Sequence, residues 1–415
     1  MKVCACICEL NPFHNGHEYF FRTMRQRSGA DYIIAVMSGD FVQRGLPSIC
    51  DKYARTSQAL MGGADLVVEL PVMYATASAD YFALGAVSAI TAMGCVDTLC
   101  FGSECGDLDM LTSLAGLHEE TNPGLHILSQ GNDSANSKNY KITKLLKEGV
   151  SYAKAYAMVT GNEIAPNDML AIRYIKSLAL LGSDIEKICI KRQGGGYNDL
   201  SDNAYSAAAV RKNIFGGASY AHMIPKYVYR NLESIAGKSF PVSVTDLSIQ
   251  LYTVISRLIA AQEEFGDRNL TDYMDVSANI EGRIKACIGK FKDYESFVGA
   301  VHSKEYTKSR IYRALLHILL DIRKDDYPAD LNDCAVSYIR ILGFRNSARQ
   351  FLSLLKESCM IPVISKVGDT ASILDDDALY LFNKDIKAAN LYDRVCTFKF
   401  GKEPVHDFSR ELVII

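Results

Sequence analysis

The segment Glu9-Leu-Asn-Pro-Phe-His14-Asn-Gly-His17 holds the residue types in this chain best suited to chemistry. It follows directly on an apolar run, Val3–Glu9, that reads as a first β-strand. Pro12 ends that strand, and Gly16 lets the backbone approach a ligand as a helix begins. His14 and His17 are three residues apart, so both project near the helix N-terminus. Free N–H groups and the positive end of the helix dipole favour an anion there. Two imidazoles at that point can donate hydrogen bonds to phosphate oxygens as charge builds in phosphoryl or nucleotidyl transfer. The bland alternative is a loop with two idle, exposed histidines. Its place straight after strand one of an α/β pattern favours a site.

A second constellation starts at Lys191-Arg192, passes through Gly194–Gly196 and reaches Ser206-Ala-Ala-Ala-Val-Arg211-Lys212. Ser206 suits an N-cap, leaving the next backbone N–H groups for an anion. Lys191, Arg192 and Arg211 can neutralise a triphosphate. Read alone, the group is a solvated basic face; beside the histidine loop it becomes a second phosphate clamp. Two further loops follow strands and are expected in the same crevice. One runs from Ser38 through Asp40 and Arg44 to Gly45, with Lys52 and Arg55 shortly after. The other is Phe101-Gly102-Ser103-Glu104, where Gly102 suits packing against a flat base; a plain loop glycine is the alternative.

The elements that must position these residues alternate strand and helix. Asp31–Ser38, Asp65–Leu70, Asp97–Phe101 and Ile185–Lys191 read as further strands. Helical patterns fall at 16–27, 51–62, 79–93, 140–159 and 167–181, with a polar loop at 129–139. Continuous apolar strands between helices predict an α/β fold with a Rossmann-like parallel sheet covered on both faces. From about residue 216, strand runs become scarce. Helical periodicity at 247–261, 271–289, 309–321 and 348–357 predicts a mainly α-helical C-terminal domain. The expected division is 1–215 and 216–415.

Composition narrows the class. Of 415 residues, 48% are hydrophobic and 22% charged, which excludes a disordered or fibrous chain. Lys and Arg total 45 against 48 Asp and Glu, a net charge of −3. That balance disfavours an indiscriminate nucleic-acid binder but leaves room for a local basic face. The apolar N-terminal run is too short for a signal peptide, and Tyr81–Val96 falls short of the roughly 20 residues a bilayer span needs. Twelve cysteines include no CxxC pair, and Cys4, Cys6 and Cys8 alternate as strand residues on one face. The expectation is a reduced cytoplasmic protein with no membrane partner and no protein-built metal site.

The HNGH loop and SAAAVR resemble the HxGH and ISSTxxR signatures of the HIGH-type nucleotidyltransferase superfamily. More closely, ELNPFHNGH, SGDFVQRG, DKYART, DLVVELP, FGSE, PNDML, KRQGGGYND and SAAAVRK, in that order, look like the tRNA(Met) cytidine acetate ligase family. The match is dense over residues 1–215, with weaker echoes such as GFRNSARQ and IPVISK beyond. This resemblance implies that residues 1–215 bind ATP and adenylylate acetate, releasing pyrophosphate. The acetyl group then passes to N4 of the wobble cytidine, position 34, in the anticodon loop of elongator tRNA(Met). Magnesium is expected on the phosphates. Carried over, the nucleotide site comprises Ile7, Cys8, Glu9, Leu10, Asn11, Pro12, Phe13, His14, Asn15, Gly16, His17, Glu18, Tyr19 and Phe20, with Gly102, Asn167 and Arg192; the N-cap reading adds Ser206. The chain departs from the family pattern at Asp40 for Asn, Leu10 for Tyr, Leu46 for an acid and Asn198 for His. A carboxylate at position 40 would repel triphosphate and acetate if it stood in the crevice.

The tRNA is expected on a stretch between residues 283 and 349, where thirteen Lys and Arg against eight acids leave a surplus of five, interleaved with aromatics. Lys308, Arg310, Arg313, Arg345 and Arg349 are the candidate RNA contacts. The alternative there is a solvated helical face with core tyrosines. A nucleotidyltransferase or acetate ligase acting on a metabolite or protein would have no use for this stretch. A third reading is an ATP-binding RNA scaffold without catalysis.

Overall fold

The computed structural model describes residues 1–119, 141, 144–145, 157–159, 164–192, 206–266, 269–328 and 336–415. Its strands form where apolar residues run together between turn residues. These are β1 (Val3–Cys8), β2 (Tyr32–Ser38), a small antiparallel hairpin β3 (Phe41–Val42) and β4 (Leu46–Pro47), β5 (Leu66–Leu70), β6 (Thr98–Ser103) and β7 (Glu186–Lys191). Five of them pair in parallel in the order β5-β2-β1-β6-β7. The direction of winding reverses between β1 and β6. Loops leaving their carboxyl ends therefore part there and open a crevice.

Strand alternation supplies a core to each face. Ile33, Ala35 and Met37 pack with Cys4, Cys6, Phe21 and Leu60, whereas Ile34 and Val36 pack with Ala83, Val87 and Ile90 of the helix Ala79–Ala92. The sheet is thus covered on both sides, as the sequence pattern predicts. The eleven described cysteines are free. No described helix is long and apolar enough to cross a membrane.

Beyond residue 216 helices dominate, including Ser248–Phe265, Ala278–Cys287, Tyr294–Val301, Lys308–Leu320, Arg349–Ser358 and Asp376–Phe400. The pattern at 271–289 becomes helical only at Ala278, because Asp275 holds a positive φ of 65° and Ser277 caps the helix start. Three strands here have no counterpart in the helical pattern: β8 (Ile339–Phe344), β9 (Val363–Ile364) and β10 (Val413–Ile414). β8 joins β5 antiparallel, and β9 and β10 join β8 in parallel, so both halves of the chain share one sheet. Runs of six and two residues amid helical periodicity carry little sequence signal. The expected helix at 140–159, the loop at 129–139 and the Gly194–Gly196 run lie outside the described residues, apart from positions 141, 144–145 and 157–159, which are helical.

Buried charges join the two halves. Lys52 Nζ lies 2.9 Å from Glu69 and 3.2 Å from Asp407, while Arg340 lies 3.0 Å and 2.7 Å from the same two carboxylates. Tyr53 donates to Asp407 at 2.8 Å. Two cations and two anions balance, which is what permits full burial. Farther along the helix Asp376–Phe400, Asp385 accepts the Val72 N–H at 2.6 Å and Tyr392 donates to Ser48 O at 2.9 Å.

Candidate active site

The loop after β1 is fixed from below. Leu10 takes a positive φ of 51°, the Asn11–Pro12 bond is cis, and Asn11 Oδ1 accepts the Ile49 N–H at 2.8 Å. Arg55, fully buried, donates to the carbonyls of Glu9 (2.7 Å), Ser38 (3.0 Å), Cys50 (3.3 Å) and Gly39. Those bonds tie the ends of β1 and β2 together. Phe13 is buried against Phe21, and Arg211 Nη1 donates to Asn11 O at 2.6 Å.

His14 is the N-cap of the helix Asn15–Ser28. Its Nδ1 accepts the Gly16 N–H at 3.0 Å, and the His14 N–H donates to His17 Nδ1 at 3.2 Å. A nitrogen that accepts from a backbone N–H carries no proton, so each neutral ring is protonated at Nε2. Burial pushes both imidazoles down, His14 well below the usual value and His17 to about 3, and the Arg192 charge adds to each shift. Both rings are therefore neutral Nε2–H donors at ordinary pH.

The opposite wall comes from β6, β7 and the helix Ala207–Phe215. Ser206 caps that helix, its Oγ accepting the Ala209 N–H at 3.2 Å, and the Arg192 N–H donates to Ser103 O at 2.9 Å. A Cβ at Gly102 would lie 3.6 Å from the Arg192 side chain and 4.0 Å from the Phe20 ring. Asn167 donates to Glu104 Oε1 at 2.6 Å, and the Asp168 N–H donates to Glu104 Oε2 at 3.1 Å. In return Asp168 accepts from Ser103 Oγ and from the Glu104 N–H at 2.9 Å. Asp168 was not among the sequence candidates. Its signals are its place in the PNDML block and a carboxylate in the first turn after Pro166, and its bonds lock the loop that carries Gly102 and Glu104.

These parts meet in one cleft of about 190 Å3. His14, His17, Lys191, Arg192, Ser206, Arg211, Gly102 and Asn167 all line it, with Ile7–Asn11, Gly16, Tyr19 and Phe20. Pro12, Phe13, Asn15 and Glu18 of the same loop are not among its lining residues; Phe13 is core, and Asn15 donates to His222 O at 2.9 Å. Arg44 lines the cleft as expected, whereas Lys52 and Arg55 do not: both are fully buried beneath the loops, held by carboxylates and carbonyls. Asp40 also stands outside the cleft. Its Oδ1 accepts the Lys52 N–H at 2.7 Å, and burial raises its carboxyl to about 7. The expected repulsion of triphosphate therefore has no geometric basis.

The basic stretch divides in two. Lys308 and Arg349 are exposed, and Arg310 lies over the Tyr306 ring at 4.9 Å. Arg313 instead forms two bonds to Asp275, at 2.8 and 3.1 Å, and Arg345 donates twice to Leu60 O, at 2.9 and 2.5 Å. Those two are held by partners within the chain, and Arg340 of the same stretch is buried in the ionic network.

A five-strand parallel core with this histidine turn and basic wall defines a HIGH-type nucleotidyltransferase, and the family model described as HIGH Nucleotidyl Transferase matches residues 1–404. Proteins named tRNA(Met) cytidine acetate ligase from Thermoanaerobacter pseudethanolicus and Clostridium perfringens are 36% and 35% identical. Each alignment covers 94% of this chain and 95% of the relative. The namesake from Acetivibrio thermocellus is 34% identical with both chains fully covered. Crystal structures of Thermotoga maritima TmcAL, apo and bound with alpha-thio ATP, superpose with TM-scores of 0.85 and 0.83. Both are 29% identical over the full length of each chain. The chain belongs to the tRNA(Met) cytidine acetate ligase family.

Proposed function

We propose that this chain activates acetate with ATP and transfers the acetyl group to the N4 amine of cytidine 34 in the anticodon loop of elongator tRNA(Met). The observation that supports it most directly is two neutral histidines, each with an Nε2–H to donate, in a cleft shared with Lys191, Arg192 and Arg211. In the first step an acetate oxygen attacks the α-phosphorus and the bond to pyrophosphate breaks. The leaving group takes the electron pair, and the imidazole donors and three cations meet its charge. Such a step needs positioning and electrostatics rather than covalent help. Gly102 and Asn167 would hold the adenosine end.

The described residues include no group of three or more His, Cys, Asp or Glu suited to a metal ion. Magnesium would then arrive on the triphosphate, and no step is assigned to it. Residues 1–215 carry the adenylylation in this reading. Residues 216–415 hold the tRNA through the exposed part of the basic stretch, although the two share a sheet. With tRNA as the substrate, the reading expects the protein to work in the cytoplasm.

ATP–pyrophosphate exchange tests the first step, and a search of tRNA for N4-acetylcytidine tests the second. Exchange that requires acetate, followed by acetylation of tRNA(Met), is the expected result. No exchange with acetate, with or without tRNA, would overturn the reading.

A further inference from the structure

We propose that Glu9 is the general base that takes the proton from the attacking cytosine amine, a role that rests on the acetate-ligase reading above. Among the described residues lining the cleft, Glu9 is the one carboxylate; the other charged groups there are Arg44, Lys191, Arg192 and Arg211. The two histidines cannot accept this proton. Each Nδ1 is occupied by a backbone N–H, which leaves each Nε2 as a donor.

Glu9 is also held for the task. Its own carbonyl accepts from Arg55 at 2.7 Å, and its Oε1 accepts the Gln43 N–H at 3.0 Å. Oε2 accepts no hydrogen bond among the described residues. The side chain is therefore aimed, with one oxygen left for an incoming N–H.

Its position fits the second substrate rather than the first. Gly102, Asn167 and Arg192 stand on the β6–β7 side of β1, whereas Glu9 and Gln43 meet on the opposite side, at the β3–β4 hairpin. That hairpin backs onto the helix Lys308–Leu320. Gly45, with φ +74°, lies so close that a Cβ there would sit 2.4 Å from the Arg313 backbone nitrogen. An RNA held along this helix reaches the cleft from the Glu9 end.

The step balances without a further reactant. The N4 lone pair attacks the acetyl carbonyl carbon, a C–N bond forms, and the carbonyl pair moves to oxygen. When the carbonyl re-forms, the acyl C–O bond to AMP breaks and AMP leaves with that pair. The N4 proton passes to Glu9 Oε2 and then to water.

Glu9→Gln keeps an oxygen for the Gln43 N–H but loses the base. Expected are single-turnover acetyl transfer slowed by about 10²–10⁴-fold, acetate-dependent exchange falling far less than transfer does, and acetyl-adenylate accumulating when tRNA is present. Wild-type transfer by this variant, or exchange and transfer falling together, would overturn the assignment. Failure of the underlying reading looks different, because the wild-type protein itself would then show no acetate-dependent exchange.

Discussion

The imidazoles of His14 and His17 stack with ring centroids 3.7 Å apart, 26° from parallel, and the capping bonds of one helix turn set the tautomer of both. The residues that cap the helix are also the ones that line the cleft. His17→Asn should keep the cap, since its side-chain oxygen can reach the His14 N–H, while removing the Nε2 donor. Acetate-dependent exchange should fall by about 10²–10³-fold with little change in melting temperature. His17→Gln, which places an N–H near the lost Nε2, should recover part of it. Equal activity of the two variants would contradict the donor role.

Protonation of His17 also bears on acid stability. Its folded value of about 3 lies below the ordinary 6.5, so between those limits the unfolded chain binds a proton that the folded chain does not. Its contribution is fully present above pH 6.5 and is lost as pH falls toward 3, with a slope of up to about 1.4 kcal/mol per pH unit. Urea titrations of His17→Gln should show a shallower acid decline than wild type over that window. An identical decline would mean that His17 is not held neutral.

Asp40 titrates with the opposite sign. A carboxyl raised to about 7 keeps its proton in the folded state after the unfolded chain has lost its own. Its effect is to lower stability as pH climbs from about 4 to 7. Asp40→Asn removes that penalty and can still accept the Lys52 N–H. The stability difference in favour of the variant should therefore grow over this range and level off above pH 7. Exchange activity should stay at the wild-type level or rise, because Asp40 does not line the cleft.

Chemistry that depends on residue type next to a strand end was legible in the sequence. His14, His17, Gly102, Arg192 and Ser206 each sit where β1, β6, β7 or a helix start had to place them, and the cleft gathers them. Burial of charge was not legible. Lys52 and Arg55 follow a strand just as Arg44 does, and only the packed structure distinguishes the side chain that turns into the cleft from two that turn beneath it. Partners distant in sequence decide this: Lys52 is held by Glu69 and by Asp407, 355 residues away. β8 was obscured for a similar reason, since Ile339–Phe344 gains strand identity from pairing with β5 across the chain.

That long-range network should behave as a unit. Arg340→Met leaves two buried carboxylates facing one Lys52, an uncompensated charge whose cost is about 3–5 kcal/mol. Adding Glu69→Gln restores the balance, so the double variant should be more stable than the sum of the single changes implies. Urea denaturation of the four proteins measures the coupling. Strict additivity would show that the ion pairs act independently.

The basic stretch should separate by variant class, because its cations have different partners. Lys308 and Arg349 are exposed, so replacing both with Glu should weaken tRNA binding and lower its salt dependence by about 0.7–0.9 per lost phosphate contact. Melting temperature and acetate-dependent exchange should hold, since neither residue lines the cleft. Arg313→Ala should act differently. It strips Asp275 of both strong bonds and leaves a carboxylate, now held below its ordinary pKa by Arg313 together with His317 and Arg310, against the half-buried start of the helix Lys308–Leu320. Stability should fall, and tRNA affinity should fall only as far as folding does. If Arg313→Ala instead abolished tRNA binding in a fully folded protein, Arg313 would be an RNA contact and the division drawn from its pairing with Asp275 would fail.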